Sequence, residues 1–252
     1  TGNVNSNFKI KARGDIEIYG FVEGAEVIAE GSIMVRGGIT GGVKGMVHAG
    51  ENIYARFAEN SRLEAGKDII IREAIMQSYV KAGGSLKVTD KRATIVGGVT
   101  QATDLIEAKT IGSQLAPQTI VEVGVNPYYR DEYQQLLKKR TEKMKIIDNL
   151  NHNLQVYQKS GVHPEGLSDK KKIALIKMLD NYKTFRQDLS AIAERILFLE
   201  NEFTKIKSAR VKVHQIVYPG VRISIGQSIY IVNDPIKYSA FVLEEGDIRL
   251  SS

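Results

Sequence analysis

Apolar and polar residues alternate over short stretches along most of this chain, and a glycine stands before many of them. Alternation with a period of two predicts short β-strands that bury one face. The glycines recur every 16 to 19 residues in the first part of the chain, at Gly14, Gly31, Gly50, Gly66 and Gly84. This repeat length predicts a stacked β-solenoid, because one coil cannot bury its apolar face without neighbouring coils.

Similar phrases return near the end of the sequence. They start at Gly220 and Gly246, and the run Ser228–Ile231 between them alternates in the same way. We expect glycine at the corners because the turns need backbone angles that other residues adopt only with strain. The sequence therefore predicts a mainly β protein with one parallel β-helix. Its first part spans residues 8–125, and return strands in residues 211–250 complete or cap it.

The hand of the β-helix follows less directly from the pattern. A left-handed helix of hexapeptide repeats would place small apolar residues at every sixth position. Ile16, Val22, Ile28 and Met34 obey that rule, but Thr40 breaks it. The uneven glycine spacing and the longer alternating strands favour a right-handed parallel β-helix.

A helical segment interrupts the solenoid pattern. Asn126 and Pro127 suit the N-cap and the first position of a helix, which we expect to run to about Lys159. A breaker-rich turn follows, and Ser168 is the expected N-cap of a second helix that ends near Lys207. A short turn between two long helices predicts an antiparallel coiled-coil hairpin over residues 127–207, called the arm below.

Apolar residues in the arm are spaced by threes and fours, which is typical of a coiled-coil seam. The first helix contributes fewer of them, with polar breaks at Arg140 and Asn151. The predicted seam residues are Tyr133, Leu137, Met144, Ile147 and Leu154 in the first helix, and Leu175, Met178, Tyr182, Phe185, Leu189, Ile192, Ile196, Leu199, Phe203 and Ile206 in the second. We expect these side chains to pack within the hairpin.

The chain has a net charge of +6, and the whole excess falls between Tyr128 and Arg210. Runs of basic residues usually form a solvated surface, but they also fit an acidic protein partner or, as an alternative, nucleic acid. Sparse aromatic residues and the lack of an RNA-binding signature disfavour nucleic acid. The candidate partner-binding residues are Lys138, Lys139, Arg140, His163, Lys170, Lys171 and Lys172.

Motifs for catalysis are missing from the sequence. It contains no cysteine, phosphate loop, GxGxxG, GxSxG or HExxH pattern, and its four histidines are scattered. We therefore expect no catalytic, cofactor-binding or metal-binding residues. Carboxylates on the predicted strands, namely Asp15, Glu17, Asp68 and Glu73, leave a carbohydrate-active β-helix enzyme as a second alternative. No run approaches the roughly 18 apolar residues of a membrane span.

The glycine-led coils, the basic hairpin and the returning strand together resemble the flagellar assembly protein A family (FapA, of the DUF342 group). The segments that carry the likeness are Ala12–Ala25 and Val217–Gly226. The resemblance implies a bacterial, cytoplasmic, non-enzymatic protein that acts in flagellar assembly or in organisation of the cell pole. Family members usually have a further N-terminal region, and this sequence begins with Thr, so we expect it to be a fragment.

A scaffold is the interpretation that best joins these observations. We expect the solenoid to be a rigid body, and the arm and the open surfaces to bind protein partners, whose identity the sequence does not give. Self-association through the open ends of the solenoid or through the arm is a further expectation, because a solenoid end exposes unpaired strand edges.

Overall fold

A computed structural model describes residues 2–42, 45–159, 168–204 and 208–251. The chain divides into two compact units. One unit comprises Thr1–Tyr128 together with Lys205–Ser252, and the other comprises Tyr129–Thr204. The candidate residue His163 and the expected helix end at Lys207 lie outside the described residues.

The first unit consists of short strands. In chain order they are β1 (Lys9–Ala12), β2 (Ile16–Ile18), β3 (Val22–Glu23), β4 (Glu26–Ala29), β5 (Ile33–Val35), β6 (Ile39–Thr40), β7 (Met46–Ala49), β8 (Ile53–Glu59), β9 (Arg62–Ala65), β10 (Ile69–Ala82), β11 (Ser85–Val88), β12 (Thr94–Ala102), β13 (Leu105–Ile111), β14 (Thr119–Val123), β15 (Arg210–Val217), β16 (Val221–Ile225), β17 (Ser228–Ile231), β18 (Ile236–Glu244) and β19 (Asp247–Ser251).

Parallel pairing arranges these strands in three stacks, which run through a solenoid of about six turns. Stack A joins β1, β4, β7, β9, the ends of β10 and β12, β14 and β16. Stack B joins β2, β5, the starts of β8 and β10, β11, and the starts of β13 and β15. Stack C joins β3, β6 and the remaining parts of β8, β10, β12, β13 and β15. The predicted β-solenoid is therefore confirmed, and its right-handed sense stays a prediction.

Inward-facing residues of adjacent coils lie in register and form one continuous core. In stack B, Ile33, Ile53 and Ile69 pair in succession, and each is fully buried. Burying one such side chain contributes roughly 1.5–3 kcal/mol. The hexapeptide rule fails in this core, because Val27 and Val35 point inward where it requires Ile28 and Met34.

Two corner glycines, Gly50 and Gly66, are needed for close packing between coils and not, as we expected, for unusual backbone angles. Positive φ angles occur at the predicted corners Gly220 and Gly246, as expected, but not at Gly50 or Gly66. A Cβ atom at Gly66 would lie 2.1 Å from the carbonyl oxygen of Gly50, and one at Gly50 would lie 2.1 Å from that of Glu30. Any side chain at these positions would force neighbouring coils apart. The explanation from turn geometry was therefore wrong for these corners.

A ladder of polar side chains follows the same corner, between stacks A and B. The Asp15 carboxylate accepts a hydrogen bond from the Ser32 backbone N–H at 2.7 Å. The Asn52 side-chain oxygen accepts one from Asp68 N–H at 3.1 Å, and the Asp68 carboxylate accepts one from Ser85 N–H at 2.7 Å. We call Asp15, Ser32, Asn52, Asp68 and Ser85 the corner ladder. It satisfies backbone donors where the strands are interrupted.

The strands after the helical segment rejoin the stacks. β15 pairs in parallel with β13, and β16 pairs in parallel with β14, so the chain resumes the solenoid where β14 left it. In the sequence, the helical segment is inserted between a stack A strand, β14, and a stack B strand, β15, where earlier coils have a glycine phrase.

The last three strands depart from the repeat. β17 pairs antiparallel with β16, β18 with β15, and β19 with β18. The phrase at Gly246 and the run Ser228–Ile231 therefore add no further parallel coil. They form hairpins on the final turn, which corresponds to the capping alternative and not to a completing coil.

The second unit contains the two long helices, α1 (Pro127–Lys159) and α2 (Asp169–Thr204). The Asn126 side chain accepts a hydrogen bond from Tyr128 N–H at 3.0 Å, which confirms the expected N-cap. Contacts across the pair run in opposite directions along the two sequences, from Glu132 with Arg195 to Lys143 with Asp188. The helices are therefore antiparallel, as expected.

The predicted seam residues of α2 from Leu175 to Phe203 lie on its less exposed side, and Ile192, Ile196 and Leu199 are buried. The last predicted seam residue, Ile206, lies outside the described residues. The prediction for Met144 in α1 was wrong, because that side chain is 50% exposed. Lys143 lies at the interface instead. Its ammonium is 4.8 Å from the centre of the Phe185 ring and pairs with Asp188. A long basic side chain can pack its methylene groups against apolar seam residues while its ammonium group forms an ion pair beside the seam.

Candidate interaction surfaces

The basic residues predicted on the arm lie in two separate places. Lys138, Lys139 and Arg140 are exposed on α1, and within the described part of the chain no ion pair engages them. Lys170 and Lys171 are exposed at the start of α2, and Lys172 is half-buried. In the antiparallel pair the start of α2 lies beside the end of α1. That end is about 30 Å from Lys138 along the helix axis, at a rise of 1.5 Å per residue. The structure therefore does not merge the two groups into one patch.

Polar pairs across the arm fix the register of its helices. The Arg195 guanidinium donates to both carboxylate oxygens of Glu132, at 2.7 and 2.8 Å. These hydrogen bonds lower the pKa of Glu132 below its ordinary value. The Tyr133 hydroxyl donates to Glu200 at 2.9 Å, and this bond raises the pKa of Tyr133. Charged hydrogen bonds of this kind favour one alignment of the two helices.

Three arginines follow one another on the outer side of stack B. Arg36, Arg56 and Arg72 come directly after the paired residues Val35, Ala55 and Ile71 of successive coils. Equivalent positions on adjacent coils lie about 4.8 Å apart, so the three side chains form a row. Two residues earlier on the same strands, Met34, Tyr54 and Ile70 form a parallel row. We call these six residues the arginine face.

The arginine face surrounds a shallow groove of about 510 Å³. Its apolar row is not fully covered, since Met34 is exposed and both Tyr54 and Ile70 are half-buried. Like charges in adjacent coils repel one another, so the arginine row costs stability unless anions approach it.

The arginines differ in how firmly the protein holds them. Arg36 makes a 2.7 Å ion pair with Glu17, and that hydrogen bond raises the pKa of Arg36. Arg56 lies 5.7 and 5.3 Å from the centres of the Phe21 and Phe57 rings. Arg72 is exposed, and no hydrogen bond or ion pair joins its side chain to another described residue. The row therefore ends in a cation that is available to a ligand.

The paired glycines Gly37 and Gly38 make room for the rings beneath Arg56. A Cβ atom at Gly38 would lie 2.1 Å from the Phe57 ring, so only glycine leaves space for that ring to fold over the corner. The Phe21 and Phe57 ring centres are 6.4 Å apart. This packing fixes the Arg56 guanidinium in place.

Further charged residues continue the outer side of stack B towards the last coils. Lys87, Lys109, Glu107 and His214 line a second groove of about 320 Å³. The Glu107 carboxylate lies 2.7 Å from His214 Nε2 and 3.9 Å from the Lys212 ammonium. Basic residues therefore outnumber acidic ones along this side, although the solenoid sequence as a whole carries balanced charge.

The hairpins at the end of the solenoid expose apolar residues. Ile229 and Ile231 are 55% and 59% exposed, and Tyr238 is 73% exposed. Tyr230 faces the other way and packs on Phe241, with ring centres 5.6 Å apart. The alternation of β17 thus places its isoleucines towards solvent, opposite to the sequence-based expectation.

The carboxylates considered for sugar cleavage are engaged separately. Asp15 and Asp68 belong to the corner ladder, Glu17 pairs with Arg36, and Glu73 lies 3.6 Å from Arg56. Over residues 2–42, 45–159, 168–204 and 208–251, no three acidic or histidine side chains converge as a metal site would require. Neither described helix has the length and apolar character needed to cross a bilayer.

Sequence reasoning missed the arginine face. Its arginines are spaced by 20 and then 16 residues, so no fixed period links them. Only the strand register shows that they occupy equivalent places. A usable signal was present, because each arginine follows the alternating residues of a stack B strand.

Comparison with known proteins gives one result. The family model described as Flagellar Assembly Protein A beta solenoid domain matches residues 1–248. No curated protein matches the chain, and no solved structure matches it. The match covers the coils, the helical segment and the returning strands alike. The chain therefore belongs to the Flagellar Assembly Protein A beta solenoid domain family.

Proposed function

We propose that this chain is a non-enzymatic, cytoplasmic scaffold that takes part in bacterial flagellar assembly through protein–protein interaction. The family match supports the link to flagellar assembly. The observation that carries the scaffold role is the continuous solenoid, whose described outer side chains form separate ion pairs and grooves at several places along the coils. A rigid body with several distinct surfaces suits a protein that holds partners in place.

The arm is the proposed attachment point for one partner. Lys138, Lys139 and Arg140 are exposed without ion pairs to described residues, so an acidic protein surface could engage them without breaking internal contacts. Lys170, Lys171 and Lys172 form the second basic group, and His163 completes the proposed set. Localisation at the cell pole is part of the same proposal.

Charge reversal in the source bacterium tests this role. We expect Lys138→Glu/Lys139→Glu/Arg140→Glu to reduce swimming motility and to remove at least one protein from in-cell crosslinks identified by mass spectrometry. A matched charge reversal of three exposed basic residues of the solenoid, Lys11→Glu/Arg13→Glu/Arg222→Glu, should keep that crosslink. Normal motility and unchanged crosslinks in the arm variant would overturn the role of the arm.

Nucleic-acid binding by the same residues is the competing outcome. Phosphate contacts would make affinity fall steeply as salt rises. Titration of the purified chain with single-stranded and duplex DNA and RNA at low salt measures this directly. Tight, salt-sensitive binding that the arm variant loses would replace the protein-scaffold proposal.

A further inference from the structure

We propose that the arginine face is a docking site for an acidic, aliphatic segment of a partner protein. This inference rests on the proposed function as a protein-interaction scaffold and assigns it a second surface, which belongs to the solenoid. The occupant is inferred from the chemistry of the two rows, because one row supplies cations and the other supplies uncovered apolar side chains.

The cationic row selects for carboxylates. Arg36, Arg56 and Arg72 stand on successive coils, and guanidinium groups bind carboxylates through paired hydrogen bonds. Glu17 and Glu73 lie at the margin of the row and meet Arg36 and Arg56. Arg72 faces solvent with no such contact among the described residues. A partner carboxylate at Arg72 would relieve repulsion along the row.

The apolar row selects for aliphatic side chains between those carboxylates. Met34, Tyr54 and Ile70 line the same groove as the arginines. Burial of exposed Met34 would add apolar contact, and the flexible thioether adapts to differently shaped neighbours. A nucleic acid finds only one uncovered ring in this groove, Tyr54, because Arg56 lies over the nearby Phe21 and Phe57 rings.

A second copy of the same face is a poor occupant. Basic residues predominate along the outer side of stack B, so two such sides facing each other would repel. A partner that is both acidic and aliphatic meets each requirement of the groove. Short segments that bind an open groove usually gain specificity from a few charged and apolar anchors.

A library of random dodecapeptides displayed on phage provides the probe. We expect selection on the full chain to enrich peptides in which Asp or Glu alternates with Leu, Ile or Val. The best peptide is then synthesised with a fluorophore, and its affinity is measured by fluorescence anisotropy over a range of salt concentrations. Failure to enrich any peptide, or enrichment of peptides without acidic residues, would overturn the proposal.

Two variants locate the binding site. Arg36→Glu/Arg72→Glu should weaken peptide binding by at least about tenfold, since it reverses two charges of the row. Arg56 is left in place because it packs on the aromatic rings. Lys138→Glu/Lys139→Glu removes the same amount of positive charge from the arm and should leave peptide affinity unchanged. Equal losses in both variants would show a non-specific charge effect and contradict the assignment.

Met34→Ser keeps every charge and tests the apolar row. We expect it to weaken the peptide at high salt as well as at low salt, because its contribution is not screened. Circular dichroism confirms that each variant is folded before binding is measured. If Arg36→Glu/Arg72→Glu instead abolishes binding of single-stranded DNA and spares the peptide, the face binds nucleic acid and the proposal fails. Loss of peptide binding leaves motility effects of the arm untouched, so the two proposals fail separately.

Discussion

The solenoid and the arm are stabilised in different ways. In the solenoid, successive coils bury residues such as Ile53 and Ile69 completely, and glycines at the corners lie against the backbone of the preceding coil. In the arm, most seam residues are only half-buried, and polar pairs such as Glu132 with Arg195 hold the register. The stability of the solenoid therefore depends on close packing of backbone atoms between coils, whereas the stability of the arm depends on regularly spaced apolar side chains.

This difference determines which substitutions each unit tolerates. A side chain at a solenoid corner meets backbone atoms, which cannot move without separating two coils. A changed side chain in the arm meets other side chains, which can adopt new rotamers. Substitutions should therefore affect the two units to different degrees and in different places.

The largest effect is expected for Gly66→Ala. The new Cβ atom would lie 2.1 Å from the Gly50 carbonyl oxygen, and we expect a loss of about 3 kcal/mol or more in the free energy of unfolding. Gly14→Ala is a matched control from the same phrase, because nothing lies within 4 Å of its Cβ position. Thermal and urea unfolding followed by circular dichroism measure both. Similar losses in the two variants would contradict the packing explanation.

Leu199→Ala tests whether the two units respond separately. Leu199 is fully buried in the arm, so truncation should cost about 2–5 kcal/mol in that unit. Hydrogen exchange measured by mass spectrometry should rise in α1 and α2 and stay unchanged in β5 to β13. Ile69→Ala should give the opposite distribution. Faster exchange in both units of either variant would contradict independent stability and the proposed domain division.

A smaller effect is expected for Asp68→Ala in the corner ladder. The substitution leaves the Ser85 N–H without its 2.7 Å acceptor, and we expect a loss of about 1–3 kcal/mol. Asp68→Asn keeps an acceptor oxygen, as Asn52 does one coil earlier, and should restore most of the stability. Chemical unfolding measures both variants. Equal stability of the Asp68→Ala and Asp68→Asn variants would show that the corner ladder does not stabilise the solenoid.

The smallest effect concerns pH and the arm. The pKa of Glu132 is lowered in the folded protein by its hydrogen bonds with Arg195, so this pair stabilises the arm above the ordinary carboxyl pKa. The contribution disappears as pH falls through the lowered value. Both side chains are partly exposed, so we expect Glu132→Gln to cost less than about 1 kcal/mol at neutral pH. Melting curves of the two proteins should converge in acid, and a gap that widens there would contradict the assignment.

The sequence predicted the features that depend on local repetition. Glycine spacing and alternation identified the coils, and apolar residues at intervals of three and four identified the α2 seam. The pattern could not give the pairing direction, because Ser228–Ile231 alternates like a coil strand yet pairs antiparallel with β16. The prediction for Met144 was wrong because its neighbour Lys143, and not Met144, contacts α2.

The candidate site was predicted less well than the fold. The basic residues of the arm were identified from composition, but their separation along the helices became visible only with the antiparallel register. The arginine face was missed because coils of unequal length place Arg36, Arg56 and Arg72 at irregular intervals. Residues that act together on a solenoid surface are related by stacking, which single-sequence patterns do not contain.

A disulfide across the interruption tests the central claim that one solenoid continues on both sides of the arm. Ile120 of β14 is directly paired with Arg222 of β16, and the chain contains no natural cysteine. We expect Ile120→Cys/Arg222→Cys to form an intramolecular disulfide on mild oxidation of the folded protein, because paired positions lie within reach of that bond. Crosslinking no faster than in the control Ile120→Cys/Lys237→Cys, whose residues lie on strands that do not pair with each other, would contradict a continuous solenoid.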